Sequence, residues 1–302
     1  MRIVSLLSSA TEIVHELGLQ DRLVGISHEC DHPPEALGLP RASRSRFDPA
    51  GLTSGEIDAA VRRCMAEFGS VYEVDRALLG ELRPDLILTQ GVCEVCAVPT
   101  GSVLDAAADL PGDPVVLSLD AHTLEGILET VRQVADAAGE PRAGEEATAR
   151  LRGRMDAVAE RVQGRPRPRV LALEWLEPPF APGHWVPEMV ERAGGGNLLG
   201  TAGGHSVEVP WSRVEELDPE LLLLLPCGYD LEHARADAER SRERLRALAG
   251  GLADAGRAWV GHSAFFSRSG PRVVGGVEAL AAAFHPDAFP GADTRGTLEP
   301  WR

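Results

Sequence analysis

Along the chain, short aliphatic runs alternate with longer stretches in which apolar residues return every three or four positions. The first pattern suits buried strands and the second amphipathic helices. In the first 140 residues the runs predict strands over Ile3–Leu7, Leu23–Ser27, Asp85–Thr89 and Pro114–Leu117. The periodic stretches predict helices over Ala10–Leu17, Val74–Leu82, Gly101–Ala108 and Thr123–Ala138. Strand and helix in alternation imply a mostly parallel sheet with helices on its faces. Between the second and third strands an extra helix opens at Thr53 or Ser54 and runs to about Phe68, with Cys64 inside it read as a small buried hydrophobe.

From Ala143 to Val162 the residues Leu151, Met155, Val158 and Val162 share one face, which lays an apolar stripe along roughly 30 Å of helix before Pro166 and Pro168 end it. The alternation then resumes. Strands are expected at Val170–Leu173, Leu221–Leu225 and Ala258–Gly261, and helices at Pro187–Ala193, Asp230–Ala249 and Pro271–Phe284. Gly194–Asn197 reads as a helix-ending turn, and the Pro-, Gly- and Asp-rich tail after Pro286 as an extended surface segment. The fold class is therefore α/β: two three-layer lobes with mostly parallel sheets, residues 1–140 and 166–302, joined by one long backbone helix over 141–165.

Composition narrows the chemistry. The chain is 44% hydrophobic and 25% charged, ordinary for a globular protein of 302 residues. A formal net charge of −16 argues against nucleic acid as a partner, because phosphate binding needs concentrated basic residues. All 30 basic residues are Arg, so neither a Lys Schiff base nor a P-loop Lys is available. No G-x-S-x-G nucleophile elbow is present. The opening MRIVSLLSSATEIVHELG lacks the long uncharged core of a signal peptide, and no stretch reaches the length of a membrane span, so the expectation is a soluble, cytoplasmic protein that is not membrane-embedded.

In open α/β sheets ligands bind beyond the carboxyl ends of the strands, which directs attention to the residues just after each run. LVGIS leads into His28, Glu29 and Cys30; DLILT into QGVCEVC with Cys93 and Cys96; LLLLL into Pro226 and Cys227; VLALE into Trp175; and AWVG into His262. Four thiols at strand ends, with His28 as a spare ligand, are a candidate set for zinc or an iron–sulfur cluster. Two other readings stay open: a Cys93–Cys96 redox pair, and cysteines that only line a ligand pocket. Asp31 and His32 precede Pro33 in an extended segment and are read as shaping the loop.

Aromatic residues make up 5% of the chain, and EWLEPPFAPGHW, PW and HSAFFSRSGPR concentrate several of them in its second half: Trp175, Phe180, Trp185, Trp211, Phe265 and Phe266. Stiff flat side chains on Pro- and Gly-rich loops suit a large planar ligand, the alternative being that each fills lobe core, as Trp259 does within its strand.

The segments SLLSSATEIVHELGLQDRLVGISHECDHPPEA, LLGELRPDLILTQ, PPFAPGHWVPEMVERAGGGNLLG, VPWSRVEELDPELLLLLPCG and FFSRSGPRVVGGVEALA resemble, in order, landmarks of the vitamin B12-binding type of periplasmic binding protein. The resemblance spans residue 3 to about residue 284. It implies two α/β lobes on a rigid helix, a cobalamin or related corrinoid held between them with little hinge motion, and docking to an ABC transporter through one acidic residue on each lobe; Glu73 and Glu208, acidic residues at the lobe ends, are read either as solvated surface or as docking for a partner that bears arginines. It also implies that Tyr72, Trp185, Phe265 and Phe266 lie near the ligand. The HEC, CEVC and PCG cysteines depart from a plain B12 scavenger and point to a cytosolic branch that holds a corrinoid, a metal complex or a cluster.

Overall fold

The computed structural model of the chain describes residues 1–92 and 98–302. The first lobe runs β1 (Ile3–Ser5), α1 (Ser8–Glu16), β2 (Leu23–Gly25), β3 (Ser43–Ser45), α2 (Ser54–Phe68), β4 (Tyr72–Val74), α3 (Arg76–Leu82), β5 (Leu86–Thr89), α4 (Thr100–Ala107), β6 (Val115–Ser118) and α5 (Leu124–Ala137). Its main sheet has the order β2-β1-β5-β6, with every neighbour parallel. Leu-Ile-Leu-Thr of β5 is buried throughout, as a central parallel strand covered on both faces requires.

Local signals set several boundaries. Thr53 and Glu56 form a reciprocal capping box at the start of α2, and Gly69 ends that helix in the left-handed region. The helix expected from Val74 begins at Arg76 instead, because Val74 pairs with Ser43 in an antiparallel β3–β4 ribbon and Asp75 caps the amide of Leu78.

The long helix α6 (Pro141–Val162) buries Leu151, Met155, Val158 and Val162, the stripe read from the sequence. Gly144 lets it press against α5, since a Cβ there would lie 2.7 Å from that of Ala135. Its charged side chains reach both lobes: Arg150 pairs with Glu16, Arg152 with Glu125 and Arg154 with Glu278. One apolar core runs from Ile3 and Ile13 through Leu151 and Met155 to Val190 and Leu280, so the lobes share an interior at the helix.

The second lobe runs β7 (Arg169–Leu173), β8 (Trp175–Leu176), β9 (Pro179–Ala181), α7 (Val186–Arg192), β10 (Gly196–Asn197), β11 (Val207–Glu208), α8 (Trp211–Glu215), β12 (Leu221–Leu224), α9 (Leu231–Arg240), α10 (Arg242–Asp254), β13 (Ala258–Gly261), α11 (Ser263–Phe266), α12 (Val273–Phe284) and β14 (Leu298–Pro300). Its sheet has the order β10-β7-β12-β13-β14, parallel except for β14. Three local expectations change. The charged stretch from Asp230 is two helices meeting at Ser241. Gly194 does turn the chain after α7, but Gly196 and Asn197 then join the sheet edge. The tail returns as β14 beside β13 and buries Trp301 completely.

Candidate functional site at the lobe seam

The carboxyl ends of both sheets meet at a seam. At one end Arg268, between α11 and α12, sets its two terminal nitrogens 2.5 and 2.8 Å from the two oxygens of Asp31, which follows β2. Beside it Arg272 clasps Glu12 of α1 at 2.5 and 3.0 Å, and the hydroxyls of Ser9 and Ser269 meet at 3.3 Å. At the other end the amide of Leu124 donates to Glu188 Oε2 of α7 at 2.7 Å, and the ring of His122, beyond β6, lies 5.4 Å from that of His184 and 5.8 Å from that of His205. Along the rim Arg62 of α2 reaches Glu208 of β11 at 3.1 Å.

On the first lobe the stretch after β2 carries the polar group read from HECDHPPEA. His28 Nδ1 shares a hydrogen bond with Ser43 Oγ at 2.8 Å, and its ring lies 4.9 Å from that of Tyr72. His28 Nε2 is 3.2 Å from Glu29 Oε1, a contact that meets the distance but not the alignment of a hydrogen bond. The imidazole beside Glu29 holds that carboxyl below its usual range, against the opposing effect of burial. Glu73, next to Tyr72, is engaged by Arg44 at 3.0 Å and Arg46 at 3.7 Å.

On the second lobe Trp175 follows β7, opposes Phe180 across the β8–β9 hairpin, and lies 5.2 Å from the ring of Tyr229, which follows β12. Burial, with the charge of Asp237 adding to it, pushes the Tyr229 phenol up to about 12, so it stays neutral. The backbone of Cys227 bonds to the carbonyl of Glu174 at 3.2 Å. His262 caps α11 by accepting from the amide of Ala264, and Phe265 stands between its ring at 6.0 Å and the Arg272 guanidinium at 5.3 Å. Burial first, then Arg268 and Arg272, lower the pKa of His262, which favours the neutral imidazole that a capping acceptor needs.

Two groups of predicted residues come together: His28 with Tyr72, and Trp175 with Phe180, the second joined by Tyr229, which the sequence pattern does not single out. Others do not join them. Cys30 is 2% exposed in the apolar core with Thr11 Oγ1 3.1 Å from its sulfur, and burial raises its thiol pKa. That is the setting of a protonated filler rather than of a thiolate ligand. Trp185 and Phe266 are core side chains, tied by the Trp185 indole donating to the Phe266 carbonyl at 2.7 Å. Trp211 packs on the second lobe's own core beneath Arg244, whose guanidinium is 5.1 Å from its ring. Cys93 and Cys96 lie outside the described residues, and among those described no three His, Cys, Asp or Glu side chains form a metal-holding group.

The sequence pattern does not single out the His122, His184 and His205 group. Its members are spread along the chain, and a lone histidine carries little signal; only the flanking Pro-Gly of PGHW and Gly-Gly of GGHS hint that the chain turns tightly there.

A sequence description of the periplasmic binding protein family matches residues 3–247. The chain belongs to the periplasmic binding protein family. Within it, the chain is 25% identical over 283 residues to a vitamin B12-binding protein of Vibrio cholerae, covering 92% of this chain and 87% of that one. Among solved structures, the periplasmic vitamin B12 binding protein of Vibrio cholerae superposes with a TM-score of 0.68 at 21% identity, over 96% of this chain and 98% of that one. A periplasmic heme binding protein from Pseudomonas aeruginosa gives 0.71 at 22% identity, over 100% and 98%. The two structural matches speak to the fold.

Proposed function

We propose that this chain is a ligand-binding protein that holds a cobalamin or related corrinoid at the lobe seam and performs no chemistry on it. The observation that carries the reading is the aromatic wall of Trp175 against Tyr229, set just after β7 and β12 of the second sheet, with a second ring pair, His28 and Tyr72, on the first lobe. A flat macrocycle gains stacking area from such a wall at small entropic cost, while half-buried polar groups orient its amide-bearing rim. Phe180, His262 and Phe265 complete the set of residues assigned to the ligand. The named relatives that bind vitamin B12 support the class.

Heme is the competing ligand, favoured by the heme-binding structural neighbours. The two are separated by equilibrium titration with cyanocobalamin, dicyanocobinamide and hemin, followed by absorbance. Saturable 1:1 binding of a corrinoid is expected. Tight binding of hemin alone would move the assignment to heme, and failure of all three would remove the reading.

An ABC transporter is the partner class that the family suggests, with Glu73 and Glu208 as the docking residues. Both are engaged within the chain, Glu73 by Arg44 and Arg46 and Glu208 by Arg62, so docking through them exchanges these pairs for a transporter's basic groups. Because Arg62 lies on the opposite lobe from Glu208, docking would also release a contact across the rim.

A further inference from the structure

Among the described residues, the imidazole group at the β6 end of the seam differs from the ion pairs at the other end and along the rim. The other end and the rim are held by opposite charges, Arg268 on Asp31, Arg272 on Glu12 and Arg62 on Glu208. Here one lobe presents His122 and the other His184 and His205, with ring centres 5.4, 5.8 and 5.5 Å apart in a closed triangle.

The chain is bent to produce this grouping. His184 has a φ of 49°, in the left-handed region that a side chain other than glycine seldom occupies. It is held there by two backbone hydrogen bonds to the facing loop, from its own amide to the Gly204 carbonyl and from the Gly203 amide to its carbonyl. Gly183 and Gly200 permit the approach, since a Cβ on either would strike the backbone of the opposite loop. The Nδ1 of His184 is buried without a hydrogen-bond partner.

Among the described residues, the surrounding carboxylates are taken by other donors. Asp120, on the loop of His122, accepts the amide of Gly91; Glu125 of α5 is held by Arg132 and Arg152; Glu188 of α7 accepts the amide of Leu124; and Glu174 beyond β7 takes the hydroxyl of Ser206. The charges that His184 feels are those of His122 and His205.

We infer that this triangle is a proton-operated catch: neutral imidazoles let the lobes close at the β6 end, and their protonation drives that end apart. The sign follows from the environment. Burial, and then the two neighbouring histidines, lower the pKa of His184 from 6.5, so the closed seam binds protons less readily than the open one. Closure is therefore fully favoured above about pH 6.5 and is lost as the pH falls through the depressed value. At the opposite end the Arg268–Asp31 pair, with the Asp31 pKa lowered and that of Arg268 raised, stays charged over the same interval, and the opening is assigned to the imidazole end.

Hydrogen exchange of the ligand-free protein tests this without reference to what the protein binds. The reporters are segments 120–126 and 200–206, which include the Leu124 amide bonded across the seam and the Gly203 and Gly204 amides, with β12 as the internal reference. After correction for intrinsic rates, protection in the two reporters is expected to fall at least tenfold between pH 7.5 and pH 5.5 while β12 is unchanged. His205→Gln, at an exposed position, and His122→Gln are each expected to reduce that fall to less than about threefold. An unchanged wild-type seam, a fall shared by β12, or a fall that persists in both variants would overturn the proposal.

Discussion

Arg268 and Asp31 face each other across the lobes in a two-pronged ion pair, at 2.5 and 2.8 Å, with the guanidinium side chain 16% exposed and the carboxylate 49%. The arginine is the more buried partner, so removing the carboxylate strands a charge whose next acceptor, Glu12, lies 3.7 Å away and is already held by Arg272. Losing one partner of a fully buried pair costs about 3–5 kcal/mol; with Asp31 half in water, Asp31→Ala is expected to cost about 1–3 kcal/mol in urea unfolding. The double variant Asp31→Ala with Arg268→Met should recover part of that loss, because no charge is then left behind.

The same pair sets an acid limit. Burial works to raise the Asp31 pKa, but the hydrogen bond and charge of Arg268, with Arg272 behind it, outweigh burial and bring it below 3.8. A carboxyl depressed in this way contributes stability that is present above about pH 3.8 and lost as the pH falls through its lowered value. Asp31→Asn should flatten the fall in stability below pH 4 in acid titrations followed by circular dichroism.

Cys30 should behave as core. With the residue 2% exposed and its thiol pKa raised above 9.0 by burial, a maleimide at pH 7 is expected to label Cys64, which the sequence pattern places in the core but which stands partly exposed on α2, well before Cys30. Peptide mass spectrometry reads the order, and in urea above the unfolding midpoint the difference should vanish.

The tail is a structural strand. Trp301 is completely buried, donates its indole N–H to Glu239 at 3.0 Å and lies beneath Arg242. Trp301→Ala is expected to cost about 3–5 kcal/mol, the range for deleting a large buried aromatic, with a matching drop in the urea midpoint.

The fold is legible where hydrophobic pattern alone decides: Leu221–Leu224 and Leu86–Thr89 are buried on both faces, and the Leu151, Met155, Val158 and Val162 stripe is the buried face of the bridging helix. The elements that pattern misses rest on contacts distant in sequence. Val207 and Glu208 become a strand only because Ala181 and Phe180 are opposite, and Leu298–Pro300 only because β13 offers an open edge. The site is partly legible for a related reason. Position after a strand directs attention to His28 and Trp175, each of which meets another aromatic ring, but it cannot say which way a side chain turns, and Cys30 turns inward to Thr11. His122, His184 and His205 meet through loop geometry that no local spacing encodes.

A corrinoid seated against the Trp175–Tyr229 wall makes Trp175 decisive in a fluorescence-monitored titration of cyanocobalamin into wild-type protein and Trp175→Ala, with circular dichroism showing that both are folded. Saturable quenching is expected in the wild type and an affinity about 10–100-fold weaker in the variant, the size of effect for loss of one stacking aromatic. Equal affinity in the two proteins, or no saturation in the wild type, would contradict it.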